Sequence, residues 1–352
     1  MTATAAPRRS SASRPELAVE TTGLRKTYRT RKGRQVAVAG LDLRVPSGGV
    51  HGFLGPNGSG KTTTIRMLLG LIRPDTGEMR VFDEVVPDAL PQVIGRIGAI
   101  VEQPRFFPPF SGRKNLTLLA RGIGAPVSRV NEVLDQVGLG DRGRDKFRTY
   151  SLGMKQRLAI AGTLLKDPEL LIFDEPTNGL DPAGIHEIRA TMRGLAERGK
   201  TVLVSSHILS EVQQVADTVS IIGRGKLLAS GHVSEILAAA DSQTVRVGVA
   251  DPARARGVLE QAGLSVTPVG ALLTVGSGQK GQRFDPAFVT EVLAQQGLYV
   301  SELTPVRADL ESVFLELTAD EHLGVTQRGP ATAPPGPPAA GVSPTAPQEG
   351  RR

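Results

Sequence analysis

The chain predicts an α/β fold: a mainly parallel sheet covered by helices on both faces, with a smaller α+β unit appended. Three observations carry this reading. Residues 55–62, Gly55-Pro56-Asn57-Gly58-Ser59-Gly60-Lys61-Thr62, spell a phosphate-binding loop. Leu170-Leu171-Ile172-Phe173-Asp174-Glu175 reads as a buried strand ending in two acids. Around these, strand-like runs alternate with stretches of helical spacing, which implies a parallel sheet with crossover helices.

The elements follow in order. Residues 1–16 are rich in Ala, Ser, Thr, Pro and Arg and predict a disordered arm. Arg8, Arg9 and Arg14 precede no apolar run, so the arm does not read as a signal peptide. A strand pattern begins at Leu17, with turns at residues 31–33 and 46–49. Val50 to Leu54 reads as the strand entering the phosphate loop, and Thr63 to Leu69 as the helix leaving it. Gly77 to Val81 and Ile97 to Val101 are short β segments. Residues 115–166 read mainly as helices, with Val130, Val133, Leu134 and Val137 at helical spacing. Thr201 to Ser205 is a further strand.

Past Gly231 the character changes. Strands at 244–249, 264–268, 271–276 and 298–303 enclose helices at 252–261 and 285–296, a βαββαβ unit over residues 240–318 closed by a helix at 310–318. The Pro- and Ala-rich tail, 324–352, predicts disorder. No internal repeat and no second phosphate loop is visible.

The composition is globular, and 352 residues suffice for one large and one smaller domain. No stretch approaches the roughly 18 uninterrupted apolar residues of a membrane-spanning helix. The absence of cysteine excludes disulfides and thiolate metal sites and fits a reducing compartment. The net charge of +7 comes from 32 Arg and 10 Lys scattered along the chain, with one dense cluster at Arg25-Lys26 and Arg29–Arg34 that reads as a solvated hairpin. No Trp and only 3 Tyr leave few base-stacking platforms, so no nucleic-acid partner is expected.

The chemistry starts at the loop. Its glycines let the backbone close round a polyphosphate, with amide N–H groups turned inward at a helix N-terminus. Lys61 supplies a charge for the β- and γ-phosphates, and the Thr62 hydroxyl can ligate Mg²⁺. Asp174 would hold Mg²⁺ through its water shell, and Glu175 is placed to polarise an attacking water. A solvated acidic turn is the bland alternative, and the phosphate loop argues against it. Tyr150-Ser151-Leu152-Gly153-Met154-Lys155-Gln156-Arg157 opens a helix with Ser151 at the cap, which is either an ordinary cap or an anion site. Asn178-Gly179-Leu180-Asp181-Pro182 is a turn carrying an acid. A lone histidine ending a strand is more often structural; beside a phosphate loop, His207 can contact the γ-phosphate and hold the water–Glu175 geometry. His51 reads as a core histidine; His186, His232 and His322 lack partners at ligand spacing, and Met67, Met79 and Met192 read as packing residues.

With these motifs in this order, the chain resembles the nucleotide-binding subunits of ATP-binding-cassette (ABC) transporters over residues 17–235. The resemblance implies a P-loop NTPase of the ABC ATPase type with an inserted helical subdomain at about 105–166, using ATP and Mg²⁺. It implies that Gly55 to Thr63, including Thr63 itself, bind ATP and that Tyr28 stacks on the adenine; the alternative for Tyr28 is an exposed aromatic on a hairpin. Lys61, Glu175 and His207 would be catalytic, with Thr62 and Asp174 at the metal. Ser151, Leu152, Gly153 and Met154 would be the signature that reaches the ATP of a second subunit, and Asp181 would cross the dimer seam.

Two departures matter. Leu152 stands where the family usually has glycine, and Met154 where it has glutamine. Aligning Phe107-Pro108 with the family's aromatic-proline pair puts Glu102 at the coupling-loop position, with Gln103 next to it. Glu102 is the expected contact to Mg²⁺ and water, and Gln103 the alternative. Both departures are similar to exporter ATPases of antibiotic or peptide resistance, bacitracin-type transporters among them. The resemblance therefore implies a cytoplasmic ATPase, peripheral on the membrane, paired with itself or a similar ATPase and coupled to a separate permease. That permease would dock near Phe106, Phe107 and Phe110, which otherwise belong to local core. The alternatives are an importer ATPase, or a soluble ABC ATPase acting on ribosomes or DNA. A ribosome-directed ATPase would normally carry two phosphate loops, and a DNA-directed one long heptad arms.

Overall fold

The computed structural model describes residues 16–31, 33–101, 105–240, 244–277, 285–306 and 309–323. The N-terminal arm (apart from Glu16), Lys32, Glu102, Gln103 and the tail 324–352 lie outside these residues, as does the side chain of His322. β1 (Leu17–Thr30) and β2 (Gly33–Leu41) form an antiparallel hairpin, and β3 (Arg44–Pro46) pairs with the start of β1. β4 (Gly49–Leu54) leaves this sheet and runs through the interior, so it is apolar on both faces. α1 (Lys61–Leu68) follows the phosphate loop. β5 (Thr76–Val81) and β6 (Glu84–Val86) return to the antiparallel sheet, giving the order β2-β1-β5-β6 with β3 beside β1.

After α2 (Leu90–Val93), β7 (Ile97–Ile100) enters the central sheet. The predicted helical insertion is α3 (Gly112–Gly122), α4 (Arg129–Gln136) and α5 (Leu152–Leu164). Val130, Val133, Leu134 and Val137 are all buried, as their spacing predicts. Then follow β8 (Leu170–Asp174), α6 (Pro182–Glu197), β9 (Thr201–Ser206), α7 (Leu209–Gln213), β10 (Thr218–Gly223), β11 (Lys226–His232) and α8 (Val233–Ala240). Sequence patterning singles out neither β10 nor β11, because β11 is half-exposed and carries no apolar alternation.

The central sheet has the order β11-β10-β4-β9-β8-β7 and is parallel throughout except for β11. Strand alternation sorts its side chains into two cores. Val50, Leu171, Phe173 and Val204 face the helical side with Leu158, Ile188 and Met192. Phe53, Leu170, Ile172 and Leu203 face the antiparallel sheet and α1 with Ile65, Met67 and Met79. The sheet is thus fixed on both faces, and its strand ends are rigid mounts. His51 is buried, with ring nitrogens 2.8 Å from Thr218 Oγ1 and 3.1 Å from Ser220 Oγ; burial pushes its pKa down to about 3 and keeps it neutral.

The remaining residues form β12 (Thr244–Val249), α9 (Pro252–Gln261), β13 (Leu264–Val269), β14 (Leu272–Ser277), α10 (Pro286–Gln295) and β15 (Val300–Val306). The βαββαβ order holds, with an antiparallel sheet β13-β14-β12-β15 of the ferredoxin-like kind. The last strand starts two residues later than expected and runs on through Pro305, which an edge strand tolerates. The closing helix, α11 (Leu310–Leu323), is longer than expected and returns to the large unit: Leu310 and Val313 join its core against α7 and α8. Among the described residues no helix is long and apolar enough to cross a membrane.

Candidate nucleotide site

Parallel register gathers the motifs. Leu54 lies opposite Ser206, and Asp174 opposite Ser205, so the ends of β4, β9 and β8 meet at one edge of the sheet. This is the edge at which open α/β sheets bind ligands. The phosphate loop, Glu175 and His207 all start there.

The loop is pressed against the β1–β2 hairpin. At Gly60 the backbone has φ +109, and a Cβ would stand 2.5 Å from the Ala37 carbonyl oxygen, so only glycine fits. That contact brings the hairpin's Tyr28, Thr30 and Gln35 to the same cavity as Asn57, Gly58, Lys61, Thr62 and Thr63, a space of about 420 Å³ that also reaches Glu175. Tyr28, at 38% exposure, lines this cavity and lies outside the buried core. Tyr28→Ala is expected to weaken ATP binding roughly 5- to 150-fold, since a base–aromatic stack contributes about 1–3 kcal/mol. Equilibrium titration with a fluorescent ATP analogue reads this, and unchanged affinity would leave Tyr28 an exposed hairpin aromatic.

Lys61 is 5% exposed, and its ammonium is fully engaged: 2.7 Å from the Gly55 oxygen, 3.3 Å from the Pro56 oxygen and 3.2 Å from Glu175 Oε1. The other carboxylate oxygen, Glu175 Oε2, lies 2.7 Å from His207 Nδ1. Glu175 therefore connects the loop lysine to the strand-end histidine. Its own backbone has φ +51, a left-handed conformation that costs a non-glycine residue about 1–3 kcal/mol. Two hydrogen bonds hold it there: Glu175 N–H donates to Ser205 Oγ at 3.0 Å, and Asn178 N–H donates to the Glu175 carbonyl at 3.2 Å. Asp174 Oδ1 accepts the Ser205 hydroxyl proton. In the sequence Ser205 reads as one more strand position; a serine near the end of an apolar run is the only local signal of its role.

Thr62, in the phosphate-loop cavity, and Asp174, at the end of β8, are hard oxygen donors, few in number. That donor set suits Mg²⁺, which takes one or two protein oxygens and completes its shell with phosphate and water.

The signature residues lie elsewhere on the chain. Ser151 caps α5, its Oγ accepting the Met154 N–H at 3.2 Å, and is exposed. Leu152 is 39% exposed, Met154 packs on the large core, and a Cβ on Gly153 would touch the Gly184 Cα at 3.5 Å. Asp181 caps α6, accepting the Gly184 N–H at 2.9 Å with Pro182 at the first helical position. Leu152 lines a second cavity, of about 350 Å³, together with Gln156, Asp174, Glu175, Asn178 and Gly179. Ser151 does not line the phosphate-loop cavity. Of the three phenylalanines after residues 102–104, Phe106 stacks edge-on against Phe147 at 5.3 Å and is core, whereas Phe107 and Phe110 are 59% and 38% exposed.

The ABC transporter family model matches residues 38–178. The chain is 40% identical over 299 residues, 84% of its length and 95% of the relative's, to the uncharacterized ABC transporter ATP-binding protein YhcH of Bacillus subtilis. It belongs to the ABC transporter ATP-binding proteins. As an ABC ATP-binding cassette it is an ATPase, and it binds adenine nucleotide. The bacitracin transport ATP-binding protein BcrA of Bacillus licheniformis is 50% identical over 212 residues, spanning 60% of this chain and 68% of that protein. Among solved structures, cbiO1 of Clostridium perfringens, part of the ABC transporter complex cbiONQ, superposes with a TM-score of 0.57 at 25% identity, covering 63% of this chain and 91% of that one.

Proposed function

We propose that this ABC ATPase is the motor of an exporter for a drug, antibiotic or peptide, working on the cytoplasmic face of the membrane with a separate permease. The observation that carries the motor assignment is the chain Lys61–Glu175–His207, at 3.2 and 2.7 Å, beside a phosphate loop. Glu175 accepts a proton from the attacking water, and His207 fixes its carboxylate and reaches the γ-phosphate. Lys61, already buried and paired, exchanges Glu175 for phosphate oxygens when ATP enters. Thr62 and Asp174, together with Glu102 or Gln103, would hold Mg²⁺, which would supply neutralisation of the phosphate charge.

The exposed Ser151 cap, which does not line the phosphate-loop cavity, and the Asp181 cap support a sandwich in which each serves the partner's ATP. ADP lacks the γ-phosphate contact, so ATP alone favours the closed pair, and hydrolysis reopens it. Export of an antibiotic or peptide is supported by the likeness to a bacitracin transport protein and by the Tyr-Ser-Leu-Gly-Met signature. Phe107 and Phe110 offer the permease an apolar contact. Affinity capture of the tagged chain from detergent-solubilised native membranes tests this reading. A multi-spanning permease without a substrate-binding protein is the expected companion; a substrate-binding protein would mean import, and ribosomes without any membrane protein would overturn the transport role.

A further inference from the structure

We propose that Ser205 is a positioning residue for hydrolysis, its one hydroxyl fixing the Asp174 carboxylate and the Glu175 backbone in a single arrangement. This rests on the roles proposed above for those two acids. Ser205 is fully buried on β9, directly opposite Asp174. Its proton goes to Asp174 Oδ1, and its lone pair takes the Glu175 N–H at 3.0 Å. Burial alone would be served equally by alanine; the two hydrogen bonds are what alanine lacks.

Both bonds act on groups whose placement is demanding. Accepting the Glu175 N–H helps hold that residue at φ +51, the conformation that turns its side chain between Lys61 and His207. Engaging Asp174 Oδ1 fixes the carboxylate's rotation and leaves Oδ2 for the metal's water shell. The neighbours extend the pattern: the Ser206 carbonyl accepts the Gly55 N–H at 3.3 Å, and His207 Nδ1 holds Glu175 Oε2. Three consecutive residues at the end of β9 thus reach the loop and both acids. Of these three, Ser205 touches both acids at once, so it ties the Asp174 carboxylate to the Glu175 backbone.

The test compares full-length wild type, Ser205→Ala and Ser205→Thr, with melting temperature recorded for each. Ser205→Ala is expected to lower kcat about 10- to 100-fold, the scale of a small misplacement of reacting groups, with KM for ATP nearly unchanged. Equilibrium ATP binding, measured without turnover, should need more Mg²⁺ for half-saturation. Ser205→Thr, which keeps the hydroxyl, should recover most of kcat; where threonine lowers the melting temperature, the kcat-against-KM split of Ser205→Ala decides alone. Wild-type turnover in Ser205→Ala, or a loss that tracks its melting temperature, overturns the proposal. Glu175→Gln run in parallel separates the two levels: if it is inactive while Ser205→Ala is normal, only the Ser205 role falls, whereas an active Glu175→Gln removes the reading on which that role rests.

Discussion

Glu175→Gln keeps ATP binding and loses turnover, by about 10²- to 10⁴-fold, the usual contribution of a positioned general base. The amide has the carboxylate's shape, so the loop, the hairpin and Lys61 keep their places. It cannot take a proton from water, and its NH₂ must face either Lys61 or His207, both of which donate to the carboxylate oxygens now. Phosphate release under saturating Mg·ATP measures the loss, and nucleotide titration checks that the site still fills. Turnover close to wild type would take Glu175 out of the chemistry and leave its strained backbone and two charged contacts as structural features.

Lys61→Ala acts at the earlier step. The ammonium is buried, bonded to two loop carbonyls and paired with Glu175, so its removal takes away the phosphate's charge partner and leaves a partly buried carboxylate behind. Truncating one member of such a pair costs about 2–5 kcal/mol, which is roughly 30- to 4,000-fold in ATP affinity. Calorimetric titration with Mg·ATP reads this directly. If the variant binds ATP as tightly as wild type, residues 55–62 are not the phosphate cradle.

The nucleotide half of this site is legible in the sequence because its chemistry sits on contiguous runs with fixed strand–loop–helix context. Gly55–Thr62 and Leu170–Glu175 each carry their own structural flanks, and a parallel register is all that is needed to bring them together. The signature and Asp181 are legible as helix caps, which is how they are bonded in a single chain. Less legible are relations that cross between strands. Ser205 matters because Asp174 is its register partner, and no local pattern announces a partner. The β10–β11 pair is missed for a related reason, since the burial of β10 comes from β4 beside it rather than from its own alternation. The closing helix is placed correctly in sequence, but its docking on α7 and α8 depends on Leu310 and Val313 meeting surfaces formed nearly 100 residues earlier, a contact exemplified by the Leu310 N–H bond to Gln213 Oε1 at 2.8 Å.

In the proposed sandwich, one chain supplies half a site and a second copy supplies the rest. Light scattering on the purified Glu175→Gln variant, with Mg·ATP, with Mg·ADP and without nucleotide, tests it directly. A dimer that forms with ATP alone, and that is lost when Ser151→Ala is added, is the predicted result. A monomer in all three conditions, or a dimer indifferent to Ser151, contradicts the shared site.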